Sequence, residues 1–217
     1  DSNDITLTAV GDIEVGLIDA GLAGDVLVNA SAAIIDGGDL ATDITGDEIS
    51  LMAGSGIGAA DDAISLAATN LTTTSNSSQH LSESDWLTLT HVDAGGSDLL
   101  FYGGSWYLGT GDRVGSDSTL DIQTGATVDL NGAEGDTFSN LLVSGGTLLG
   151  EGTVDADLTV TSGLISPGNN SGLINANNRT FSAGTYSLEL DGAVAGSGVG
   201  HHDELHFLGN VDLGTET

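Results

Sequence analysis

Short runs of alternating apolar and polar residues fill the first third of the chain, and each run follows a Gly-Asp or similar turn pair. Asp4-Ile5-Thr6-Leu7-Thr8-Ala9, Gly11-Asp12-Ile13-Glu14-Val15, Gly24-Asp25-Val26-Leu27-Val28 and Gly46-Asp47-Glu48-Ile49-Ser50-Leu51 share this form. A period of two belongs to a strand with one buried face. Asp4 to Asp25 is 21 residues and Asp25 to Asp47 is 22, a spacing of stacked solenoid repeats rather than of hairpins in a sandwich. A second strand falls between successive members, at residues 13–15 and 33–35, so two or three strands make one repeat. The predicted fold is all-β, a right-handed parallel β-helix with two repeat types joined by an irregular middle.

The turn chemistry supports this reading. Glycine allows positive φ at a corner, and the aspartate carboxylate accepts hydrogen bonds from backbone N–H groups there. No stretch of 11 residues carries a capped stripe of period 3.6, so little or no helix is expected. The single proline sits in Ser166-Pro167-Gly168-Asn169, a turn signal. Residues 72–84 form a polar run, expected to be a loop or a boundary, and regular rungs resume at Thr119-Leu120-Asp121-Ile122 and Ala126-Thr127-Val128-Asp129-Leu130. The expected organisation is therefore 1–71, a first set of β-helix repeats; 72–118, an irregular junction with an aromatic cluster; and 119–217, a second set.

Composition narrows the setting. Hydrophobic residues make up 39% of the 217, enough for a continuous core. Two Lys+Arg stand against 32 acidic residues, a formal net charge of -30, which excludes an electrostatic footprint on nucleic acid or on an anionic membrane. Cysteine is absent, so disulfides and thiol chemistry are excluded. No run of about 18 apolar residues is long enough for a membrane span, and no signal-peptide pattern opens the chain. The ending, Val211-Asp212-Leu213-Gly214-Thr215-Glu216-Thr217, follows closely on a predicted strand, so the chain reads as a fragment whose sticky end coils would stack end to end on the rest of a longer chain.

Residues 4–71 resemble the repeat region of filamentous-haemagglutinin-like exoproteins, most clearly at Gly11-Asp12-Ile13-Glu14-Val15 and Ile49-Ser50-Leu51-Met52-Ala53-Gly54-Ser55-Gly56-Ile57-Gly58. Residues 144–213 look like the autotransporter-associated β-strand repeat, with Gly150-Glu151-Gly152-Thr153-Val154, then Ser166-Pro167-Gly168-Asn169, then Ala183-Gly184-Thr185-Tyr186. Gly163 departs from that pattern, being followed by Leu164 where a second glycine is common. The resemblance implies a passenger or stalk on the surface of a Gram-negative bacterium, with host or community glycans or proteins as partners, and it carries no catalytic residues.

Candidate chemistry is sparse. Phe101-Tyr102-Gly103-Gly104-Ser105-Trp106-Tyr107 holds four of the nine aromatic residues. Phe101, Tyr102, Trp106 and Tyr107 are the candidate ligand-binding residues, as a flat platform for sugar rings or a partner protein; alternatively they close the core between repeat types. His201-His202-Asp203-Glu204-Leu205-His206 gathers metal-capable side chains, yet also reads as a turn and strand with Asp203 at the corner and Leu205 and Phe207 facing the core. Asp36, Asp39, Asp43 and Asp47, and the pair Asp61-Asp62, lack the spacing of calcium loops and read as solvated turn residues. No cofactor or metal is expected. With Arg113 and Arg179 as the sole strong cations, a lyase has almost nothing to stabilise developing negative charge, and the expectation is a non-enzymatic stalk. The alternative is a carbohydrate-binding module or carbohydrate-active β-helix enzyme.

Overall fold

The computed structural model describes residues 3–38, 41–109, 111, 113–136, 138–168, 171–196 and 200–212. Among these the fold is a parallel β-helix without α-helix, in which the strands of the coils pair with their equivalents one coil away. One column of paired positions climbs through Ile13, Ile34, Ile57, Gln79, Leu99, Leu120, Leu141, Leu158, Arg179 and Val211. A second climbs through Leu87, Trp106, Val128, Leu148, Ile165 and Tyr186. The coil length wanders, from 17 residues between Leu141 and Leu158 to 32 between Arg179 and Val211. The long step carries an excursion with its own short strands, Val194–Ala195 and His201–His202.

Alternation of burial shows how the sequence pattern makes the core. Val26–Ala30 reads buried at Val26, Val28 and Ala30 and half-buried between them. In the long strand Ile44–Ala53 the alternation breaks once, at Asp47-Glu48, where two successive residues face out and the chain turns a corner. Stacking then merges the inward side chains into one continuous cluster from Val15 to Ala176. Each fully buried Leu or Ile contributes about 1.5–3 kcal/mol by leaving water.

The Gly-Asp motif acts between coils. The Asp4 carboxylate accepts from the Asp25 N–H at 3.1 Å, Asp25 from Glu48 at 3.3 Å and Asp12 from Ala33 at 2.9 Å. Each corner carboxylate thus reaches one coil forward and fixes the register at 21 to 23 residues. Other aspartates serve their own turn, as Asp93 does for the Gly95 N–H at 2.9 Å. Later coils use asparagine: Asn178 donates its backbone N–H to Asp157 at 3.1 Å and accepts from Asn210 at 2.9 Å. Another corner is lined by glycines with positive φ, Gly145 (134°), Gly163 (95°) and Gly184 (119°). A Cβ on Gly163 would collide with the Gly146 carbonyl of the coil below, so only glycine serves there.

The polar run 72–84 is not a loop. It is the end of strand Ile64–Thr74, a turn, and strand Gln79–Glu83, all in register with neighbouring coils. Polar groups inside the core explain its composition. Gln79 takes an interior slot held by Ile or Leu at the other levels from Ile13 to Leu158, and both ends of its amide are bonded: Thr73 Oγ1 donates to Oε1 at 2.5 Å, while Nε2 donates to Ser75 Oγ at 3.0 Å and to the Asp93 carbonyl at 2.8 Å.

The end coils differ from the middle. In Ile5–Ala9 the three central residues are exposed, including Leu7 where its equivalent Val28 is buried, and Leu17 and Leu22 are exposed nearby. Towards the other end Tyr186, Leu188, Leu190 and Val211 are exposed. There Arg179 continues the interior column with its guanidinium against the rings of Phe181 (4.8 Å) and Phe207 (4.4 Å).

Candidate functional site

The aromatic segment divides between the two faces of its strands. Asp98–Tyr102 and Ser105–Tyr107 alternate in phase with the coil, so Phe101 and Trp106 point inward and are 0% exposed. Their rings stack at 4.1 Å with an interplanar angle of 11°, and Trp106 Nε1 donates to the Gly103 carbonyl at 2.8 Å. Of the two readings of this segment, the core-closing one holds for Phe101 and Trp106, which are core and out of reach of a ligand, so the four side chains do not form one platform. Tyr102 and Tyr107 face outward from different strands and take different partners.

Tyr102 stacks on His80 at 6.1 Å and 18°, and its hydroxyl lies 3.1 Å from His80 Nδ1. Partial burial holds His80 below its ordinary pKa and raises that of Tyr102. This pair is satisfied within itself. Tyr107 instead meets Trp86, the first residue of strand Trp86–Asp93, in a T-shaped contact at 6.1 Å and 79°. Trp86 is 50% exposed. Together with Thr88 and Asn131 the two rings line an exterior recess of about 330 Å³. Adjacent-coil pairing builds it, because Trp86 is opposite Ser105, and Tyr107 lies between Thr88 and Asp129. Asn131, with φ 48°, closes one side as half of an Asn-Gly turn, where positive φ is ordinary.

The histidine-rich segment is structural. Asp203 is 5% exposed and its carboxylate accepts from the Gly172 and Glu189 N–H groups, both at 2.7 Å. Leu205 and Phe207 pack against the core, and Nδ1 of His206 lies 3.1 Å from Asn175 Oδ1. Among the described residues no three His, Asp or Glu converge to hold a metal ion. Of the acidic candidates, Asp36 accepts from the Gly38 N–H at 2.9 Å and Asp43 from Ser65 at 2.6 Å. Burial and the neighbouring Asp36 carboxyl push Asp62 above the usual carboxylate range. Asp39 lies outside the described residues.

One carboxylate is out of place in energetic terms. Glu83 is 4% exposed; Oε1 accepts from the Ser84 and Asp85 N–H groups at 2.8 and 3.2 Å, while Oε2 is buried without a hydrogen-bond partner. Burial raises its pKa, against the pull of those two N–H groups. A carboxyl with a raised folded-state pKa stabilises the fold fully below its unfolded pKa, about 4.3, and that contribution is lost as pH rises through the folded value. Glu83→Gln removes the ionisation. Its melting temperature should match the wild type near pH 4 and exceed it increasingly toward pH 7; a constant difference across that range would show that burial does not raise the Glu83 pKa.

No protein-family model matches the chain, and no curated protein and no solved structure matches it either. Among the site residues the sequence reading missed Trp86. The signal was present, since Trp86, Thr88 and Thr90 share one phase of the strand while Leu87 and Leu89 hold the other.

Proposed function

We propose that the chain is a non-enzymatic block of a stiff rod, a stalk or adhesive passenger segment of a large secreted surface protein of a Gram-negative bacterium. The observation that carries this reading is the contrast between a continuous core and end coils that leave interior positions uncovered. The middle coils cover one another, whereas Leu7 at one end and Tyr186 and Val211 at the other are 37%, 39% and 47% exposed. Free strand edges with apolar positions invite pairing with further coils. Support for the setting comes from the Gly-Asp rungs of residues 4–71, the elements of residues 144–213 set out above, the absence of cysteine and the acidic surface. Glycans or proteins of a host or of neighbouring cells are the partners such a rod would meet, and its charge of -30 keeps it off nucleic acid and anionic bilayers.

Charge also sets the test. Self-repulsion opposes stacking at low salt and is screened when the Debye length falls to about 8 Å at physiological ionic strength. Light scattering across a salt series should give a monomer in dilute buffer and end-to-end association as salt rises. A mass that stays monomeric at high salt would mean that the ends are closed, with Arg179 between its two rings acting as a plug, and the rod reading would fall.

A further inference from the structure

The Trp86–Tyr107 recess lies on the outer face of the rod, outside its continuous core. Interior positions of the two strands that frame it are filled by Leu87, Leu89 and Trp106, each 0% exposed, and the register is set by backbone pairing. Half-exposing an indole on the outer face of the rod forgoes its burial, so a ligand that would cover it gains that contact. Three properties of the recess specify the ligand.

The first is shape. Two aromatic rings at 79° form a corner with one flat wall and one edge-on wall. A volume of about 330 Å³ lies at the small end of the range for ligand sites, about 300–1,000 Å³. The corner suits one ring-sized group with an apolar face. The second is polarity: the remaining lining is the hydroxyl of Thr88 and the amide of Asn131, groups that both donate and accept. A pyranose ring offers this combination, C–H groups on its faces and hydroxyls around its rim. The third is charge. Among the described residues no ionised side chain lines the recess. The carboxylates of Asp85 and Asp129, closest in sequence, accept from the Trp86 and Asn131 N–H groups. The field of the whole chain repels anions, so acidic sugars are disfavoured.

An onward track is also present. Outward positions next to Trp86 on successive coils are Ser105, Thr127 and Thr147, a row of hydroxyls rising about 4.8 Å per coil. We infer that the Trp86–Tyr107 corner binds one ring of an uncharged polysaccharide, whose chain runs along the rod over the hydroxyl row. Trp86 supplies the stacking wall, Tyr107 the edge, and Thr88 and Asn131 hydrogen bonds to ring hydroxyls. The assignment needs the fold but does not depend on end-to-end stacking.

Fluorescence gives a direct test, because the chain has two tryptophans and Trp106 is buried. Cellohexaose, maltohexaose and chitohexaose are titrated at up to millimolar concentration into the whole chain, with choline and a sulfated oligosaccharide as controls. At least one neutral sugar should shift the Trp86 emission, and its binding, measured independently by calorimetry, should weaken by roughly tenfold or more in Trp86→Ala and in Tyr107→Ala. Tyr102→Ala, on the separate His80 pair, should bind as the wild type does, and circular dichroism should be unchanged in Trp86→Ala. Three results would overturn the inference: silence from all three neutral sugars, equal affinity in Trp86→Ala, or a response to choline alone, which would make the corner a cation cage. Salt-driven association should be the same in Trp86→Ala and wild type, so failure of the sugar site and failure of the rod reading are told apart.

Discussion

Trp106→Ala should lower the free energy of unfolding by about 3–5 kcal/mol, the usual cost of truncating a fully buried large aromatic. Three contributions act together at this position. The indole is wholly buried, its ring lies on Phe101 at 4.1 Å, and its N–H satisfies the Gly103 carbonyl in the corner Gly103-Gly104. Truncation leaves a cavity beside Phe101 and removes the bond that pins the corner. Leu87 and Val128, paired to Trp106 on either side, are held by their own strands and cannot collapse into the space. Trp106→Phe keeps most of the apolar volume and should cost less, mainly the hydrogen bond and part of the stacking. Urea denaturation followed by far-ultraviolet circular dichroism measures both variants, at an unchanged m value. A loss under about 1 kcal/mol in Trp106→Ala would place the indole outside the core.

The contrast between Trp106 and Trp86 shows what a sequence of this kind discloses. Coil spacing was legible, because the 21- and 22-residue intervals between the aspartate corners lie within one residue of the 21 and 23 over which Asp4 and Asp25 reach the next coil. Facing was legible in principle from period two. In Trp86-Leu87-Thr88-Leu89-Thr90 the phase separates an outward Trp from inward leucines. In Asp98-Leu99-Leu100-Phe101-Tyr102 it is ambiguous, since Leu99 and Leu100 lie on opposite faces and both are apolar, and the pairing of Leu99 with Gln79 and Leu120 decides.

Other features were hidden for a physical reason: they depend on neighbours one coil away. The register shift between Leu71 and Thr72, opposite Leu89 and His91, leaves Thr90 unpaired in that ladder and has no signature in composition. The recess is likewise assembled from residues 86, 88, 107 and 131, spread over three coils of variable length. Aromatic density alone pointed to residues 101–107, where half of the rings serve the core.

Gln79→Ala should cost about 3–6 kcal/mol, an effect that the polarity of residues 72–84 disguises. Ile57 below and Leu99 above occupy the same column, so truncation opens a void between two apolar side chains that the stacked backbone holds apart, worth about 2–3 kcal/mol for a side chain of this size. It also strands the Thr73 hydroxyl, which is 0% exposed and donates to Gln79 Oε1, and an orphaned buried donor costs about 1–3 kcal/mol unless it finds another acceptor. The Asp93 carbonyl is not orphaned, because the Ser75 N–H also donates to it at 2.8 Å. Ser75 Oγ loses one partner but still donates to the Ser77 carbonyl at 2.6 Å. Gln79→Leu is the informative companion. It restores the volume and the apolar column and leaves only the Thr73 hydroxyl to be rearranged, so it should recover most of the loss and sit within about 1–2 kcal/mol of the wild type. Denaturant unfolding ranks the three proteins. If Gln79→Leu is as unstable as Gln79→Ala, hydrogen bonding rather than filled volume dominates at this level of the rod; if neither variant is destabilised, the network contributes nothing and the turn at residues 75–78 is held by its backbone alone.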